Sequence, residues 1–160
     1  MTTHIKFHGM PKQFFFFFLL TVVTFGVTVT NAQRNVTPTV DPVLEADAKH
    51  NLEVARQAFS PLKKAYKQVL MRFDETFAAY PDFTAMDEFL YIAGVSSYWL
   101  SEGKGKQTVN TKSEKEMKRF APDRLKIDAA AFLSMLIDKY PQSKFKPDAE
   151  KTLAEIKSKQ

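Results

Sequence analysis

Cysteine is absent from all 160 residues. That excludes disulfides, thiolate nucleophiles and zinc ribbons, and it leaves no thiol within the sequence to carry a lipid. Histidine is nearly as scarce. Of the three present, His4 and His8 fall in the first few residues and only His50 lies in the body of the chain, so no histidine pair is left to ligate a metal. Strand signals are missing as well, since the one β-rich run, Val22 to Val29, belongs to an apolar N-terminal segment. A phosphate loop is lacking: Gly103-Lys104-Gly105-Lys106 has neither a strand before it nor the Gly-Lys-Ser/Thr ending. These absences lead to the expectation of a protein that is not an enzyme, with no catalytic residue, no cofactor and no metal.

What is present begins with a leader. Met1 to Gln13 is polar, with Lys6 and Lys12 and no acidic residue. Phe14 to Val29 is an apolar and Thr-containing run that includes five consecutive phenylalanines, and Thr30-Asn31-Ala32 supplies small residues after it. This is the layout of a secretory signal peptide, residues 1–32, with cleavage after Ala32. The rival is a retained inner-membrane anchor. Sixteen residues at 1.5 Å rise span roughly 24 Å, short of the ~30 Å hydrocarbon core. Both readings export the chain, so the expected location is the periplasm. Residues 33–41, QRNVTPTVD, read as a linker without apolar period. Within it Asn35-Val36-Thr37 fits a glycosylation sequon, a motif short enough to recur by chance. The formal charge of +5, less the two lysines of the leader, leaves about +3. That is too little to argue for nucleic acid.

From Asp41 the chain reads as helices. Asp41 is a capping residue and Pro42 suits a first turn. Leu44, Ala48, Leu52, Ala55 and Phe59 then share one face as far as Ser60. Pro61 restarts the chain, and Leu62, Tyr66, Val69, Leu70, Phe73, Phe77 and Tyr80 form the clearest amphipathic stripe in the sequence. Tyr80-Pro81 ends it. The next helix starts near Thr84, read as its N-cap, and runs through FLYIAGVSSYWL. It is apolar almost all round, as a helix in the middle of a stack must be. A polar, Lys-rich loop follows, residues 103–121, with room for a short helix from Ser113 to Phe120. Pro122 opens another helix, with Leu125, Ala129, Phe132, Leu133, Leu136, Ile137 and Tyr140 on its face. Tyr140-Pro141 stops that one, and a last helix from about Pro147 carries Ala149, Leu153 and Ile156. The expected fold is all-α: about five antiparallel helices in a single domain, residues 42–160.

Two blocks end alike, RFDETFAAYPDFTAMDEFL and LSMLIDKYPQSKFKPDAEKTL. A helix, a Tyr-Pro, a short polar turn and a new helix is the cadence of tetratricopeptide repeats. Ala93-Gly94, then Ser96, Ser97 and Tyr98, fit the first-helix pattern in part. Phe73 and Tyr80-Pro81 fit the second-helix pattern. With DPVLEADAKHNLEVARQAF, AYPDFTAMDEFLYIAGVSSYWLSEGKGKQ and FLSMLIDKYPQSKFKPDAEKTL taken together, the chain resembles short bacterial relatives of outer-membrane β-barrel assembly factor D, over most of its length after the leader. The resemblance implies a periplasmic scaffold that helps fold or insert outer-membrane proteins. Its implied partners are β-barrel assembly subunits or unfolded outer-membrane proteins. Members of that family are typically lipidated on a cysteine and carry about twice as many repeats; this sequence has neither.

Two surfaces are candidates for partner binding. Glu88, Tyr91, Val95, Tyr98 and Trp99 lie at helical spacing on the central helix, where a repeat protein lines a groove for extended peptides. The competing reading is that flanking helices bury them as core. Lys104, Lys106, Lys115, Lys118 and Arg119 belong to a stretch, Gly103 to Lys126, with eight basic residues against three acidic ones. It reads either as a solvated loop or as a site for an acidic partner or anionic lipid headgroup. Two other roles remain open beside β-barrel assembly: a general envelope repeat adaptor, and a peripheral membrane-surface protein that uses the Lys-rich loop.

Overall fold

A computed structural model describes residues 40–159. The leader expected at 1–32 and the linker as far as residue 39, sequon included, lie outside the described residues. Among the described residues there are six helices and no strand: α1 Pro42–Phe59, α2 Tyr66–Ala79, α3 Met86–Ser101, α4 Glu114–Arg119, α5 Pro122–Lys139 and α6 Lys146–Ser158. The fold is all-α and tetratricopeptide-like. Helices α1 and α2 form a first hairpin, α3 and α5 a second, and α6 adds a half-repeat. Helix α3 sits in the middle. It packs on α2 and α5 along its length and touches α1 and α6 at its sides. Every residue from Ile92 to Tyr98 is buried, as an apolar sequence without a polar face requires.

Local chemistry explains most boundaries. The Asp41 carboxylate accepts the N–H groups of Val43 at 2.9 Å and Leu44 at 3.2 Å, and Pro42 takes the first helical position. The start of α2 differs from the expectation. Pro61 does not open it; residues 60–64 form a turn that ends on Lys64, whose φ of 45° no helix can continue. Leu62 therefore projects from the turn, 84% exposed, instead of joining the stripe of Tyr66, Val69, Leu70 and Phe73. Nor does Thr84 cap α3. Ala85 holds the cap position, and the Thr84 hydroxyl donates to the Glu45 carboxylate of α1 instead.

The internal repeat is visible in the backbone. Tyr80 N–H donates to Thr76 O at 2.8 Å, and Tyr140 N–H to Leu136 O at 2.9 Å. The bonds Phe83→Tyr80, Met86→Phe83 and Phe89→Ala85 recur as Ser143→Tyr140, Lys146→Ser143 and Ala149→Phe145. Each bond reappears sixty residues on, although little beyond Tyr-Pro is shared in sequence.

Gly94 decides how closely α3 and α5 approach. A Cβ there would stand 2.7 Å from Leu133 Cγ and 2.8 Å from its Cδ2. The glycine thus serves α5, not α2. An aromatic cluster closes the α2 side: Phe73 meets Phe132 of α5 at 4.6 Å between ring centroids and Phe89 of α3 at 5.5 Å, edge on. At the end of the array, α6 buries Ala149, Leu153 and Ile156 and turns Glu150, Lys151, Glu155 and Lys157 to solvent. That polar outer face is what a terminal repeat needs.

The polar loop between α3 and α5 is an ordered strap laid along α2. The Gln107 side chain accepts the Gln68 N–H at 2.9 Å, serving the first turn of α2 from forty residues away. Lys106 donates its N–H to Lys64 O at 3.0 Å and its ammonium to Leu62 O at 2.8 Å. Glu116 accepts from Lys67 at 2.7 Å and from the Asn110 N–H at 2.9 Å. Phe120 is buried at the strap's end. Ser113, accepting the Glu116 N–H, caps the short α4.

Candidate functional site

The five residues expected on a groove of α3 divide by burial. Val95 is 3% exposed and Tyr98 2% exposed, so both are core rather than groove surface. The α6 helix and the terminal turn cover Tyr98: its hydroxyl donates to Glu155 at 2.8 Å and accepts from Lys159 at 2.7 Å. Burial pushes the Tyr98 phenol above its ordinary value. Glu88 is engaged within the molecule. Its two oxygens fork onto Arg56 of α1, at 2.5 Å to Nε and 2.8 Å to Nη2. That pairing holds the Glu88 carboxyl below its ordinary value and the Arg56 guanidinium above its own. Tyr91 is half-buried and stacked on Phe145, with centroids 5.1 Å apart and planes 17° apart.

Trp99 is different. It lies at the C-terminal end of α3, half-buried, and forms one wall of a cleft of about 350 Å³. The other lining residues are Phe59, Pro61, Lys64, Tyr66 and Lys104. The Phe59 and Trp99 rings are parallel within 3°, with centroids 5.5 Å apart, and Tyr66 tilts against Trp99 at 5.4 Å. Three segments build this cleft: the end of α1, the turn into α2, and the end of α3 with its loop. Sequence spacing places Phe59 and Tyr66 on separate helix faces and gives no reason to join them to Trp99. The signal that could have found them is the Ser60-Pro61 break, which brings two aromatic residues to one end of a hairpin.

The Lys-rich loop is less free than its composition suggests. Lys118 pairs with Glu114 at 2.6 Å. Arg119 forks onto both oxygens of Asp74 at 2.9 Å and reaches Asp128 at 2.8 Å, tying α4 to α2 and α5. Arg124 also pairs with Asp128, at 2.9 Å. Of the five loop candidates only the Lys104 and Lys115 side chains have no partner within hydrogen-bond or ion-pair distance among the described residues, and the Lys104 ammonium lies 5.8 Å from the Tyr98 ring centroid. Lys115, Met71, Asp74, Ser113, Glu116, Arg119 and Phe120 line a second depression of about 450 Å³ between α2 and α4.

Among the described residues no group of three His, Cys, Asp or Glu side chains could hold a metal. His50 is exposed on α1. No described helix is long and apolar enough to cross a membrane.

A short stack of helix hairpins with an aromatic cleft at one edge defines a helical-repeat protein. The sequence model of the YfiO family, described as outer membrane lipoprotein, matches residues 46–159. The chain belongs to this family. No curated protein and no solved structure matches it.

Proposed function

We propose that this chain is a periplasmic protein-binding scaffold that assists the folding or insertion of outer-membrane β-barrel proteins. The family match over residues 46–159, from the second turn of α1 through α6, carries the reading. Family membership supports envelope proteins as partners generally; the β-barrel assembly subunits or their unfolded clients are the finer part of the proposal. The reading assigns no catalytic step and no cofactor. Trp99 supports it locally, as a large amphipathic side chain left partly uncovered among other aromatic residues. A role at the membrane surface through the Lys-rich loop has less support, because Lys106, Lys118 and Arg119 already serve the fold.

The test is mild crosslinking and affinity capture of the chain from the native envelope fraction. Recovery of β-barrel assembly subunits or unfolded barrel clients supports the proposal. Recovery of other envelope proteins alone supports a general repeat adaptor and overturns the assigned role.

A further inference from the structure

We infer that the cleft around Trp99 is an anchor pocket for one aromatic side chain within an acidic, extended segment of a partner protein. This rests on the protein-binding reading above and deepens it. The size of the cleft, about 350 Å³, is at the low end for ligand pockets, which suits one large side chain rather than a whole small molecule. Its walls are aromatic on three sides, and a fourth ring would meet them in the offset or edge-on arrangements that such rings prefer.

The rim supplies the second half of the argument. Lys64 and Lys104 line the cleft, Lys63 and Lys106 flank it in sequence, and no acidic side chain lies within 4 Å of any of these four ammonium groups among the described residues. Six other lysines also lack an acidic partner within 4 Å among the described residues, but none of them lines this cleft, whose only charged lining residues are Lys64 and Lys104. Glu155, which feels Lys104 at longer range, is already held by Tyr98 and Lys159. The Lys106 ammonium is held by Leu62 O and the Lys104 ammonium lies 5.8 Å from the Tyr98 ring centroid, so neither is neutralised by a carboxylate. An aromatic pocket with two such lysines in its lining is complementary to an aromatic residue flanked by carboxylates.

Both sides of the cleft are held in place before any ligand arrives. Lys106 bonds the turn that carries Lys64, and Lys104 N–H donates to Trp99 O at 2.9 Å, with Gly103 at φ 69° making that reversal. Pre-ordered walls lower the cost of binding.

Trp99 is the only tryptophan in the chain, so its emission reports on this cleft alone. The experiment titrates the full-length protein with end-blocked synthetic peptides: Phe flanked by Asp and Glu, the same peptide with Ala for Phe, and Phe flanked by Lys. Vesicles containing phosphatidylglycerol form a separate arm. A saturable emission change is expected with the acidic Phe peptide only, weakened about tenfold in a Lys64→Glu, Lys104→Glu variant and by high salt. Circular dichroism checks that this surface variant keeps its helices. An equal response to the Lys-flanked peptide, or none to the acidic one, overturns the inference. A response to vesicles without one to peptide overturns it in favour of a lipid surface. If the peptides fail while envelope capture proceeds and ignores the double variant, the anchor falls and the scaffold reading stands.

Discussion

At Gly94 the α3 backbone lies against Leu133, which is fully buried on α5. Alanine there would gain roughly 1 kcal/mol of helix propensity. The added Cβ would drive into a side chain that has nowhere to go, at a cost of about 1–3 kcal/mol. The Gly94→Ala variant is therefore expected to unfold at lower urea concentration, with Leu133→Ala in the same chain removing most of the difference between Gly and Ala at 94. An equal midpoint for wild type and Gly94→Ala would show that α5 yields. Three residues further on the sign reverses. The Ser97 hydroxyl is buried with no hydrogen-bond partner among the described residues, which costs about 1–3 kcal/mol where nothing compensates. The Ser97→Ala variant should be neutral or more stable by thermal melting; a lower Tm would reveal a role for the hydroxyl. Sequence reading placed Gly94 in the first-helix pattern of a repeat but did not find Leu133 against it, because periodicity gives the face of a residue and not which helix comes to meet it.

The element that composition misjudged is the strap between α3 and α5. Its lysines suggested a solvated or partner-seeking loop, whereas its less conspicuous residues, Gln107, Glu116 and Phe120, bind it to α2. Bonds across forty or fifty residues leave no periodic trace, so they could not be read in advance. Arg119 is the principal tie. Replacing it with Ala leaves Asp128, whose side chain is 10% exposed, with only the exposed Arg124, and frees Asp74. A loss of about 1–2 kcal/mol is expected, discounted for the exposure of Asp74. Amide exchange should accelerate over 107–120 more than in α3. Uniform acceleration throughout would mean that the strap has no separate opening. The helices themselves were legible wherever a cap or a Tyr-Pro marked an end. The miss at Leu62 arose because a turn with left-handed Lys64 resembles a helix restart after Pro61.

On the scale of the whole molecule, carboxylates join α1 to α3 and to the turn before it. Burial disfavours the ionised Glu45, but hydrogen bonds from Thr84 and the nearby Lys49 outweigh this and hold its carboxyl below the ordinary 4.5. Arg56 does the same for Glu88, against partial burial. Depressed folded-state values mean that the contribution to stability is fully present above about pH 4.5 and is lost as pH falls through the lower folded values. Denaturant midpoints should be flat near neutrality and drop below that point, and Glu88→Gln should shrink the drop. A stability that rose on acidification would contradict the assigned pairing. All-α architecture and the repeat cadence were readable because they depend on local spacing and on Tyr-Pro punctuation. The division of the aromatic residues into core and cleft was not, since Tyr98 and Trp99 are adjacent in sequence and only the arrival of α6 buries one and leaves the other.

The most direct test of the scaffold proposal is the amount of folded β-barrel protein in the outer membrane of cells depleted of this chain, read from the gel mobility of unheated samples. The account predicts a fall in the folded fraction, restored by the wild-type chain and less well by Phe59→Ala, Trp99→Ala. An unchanged folded fraction after full depletion would contradict it.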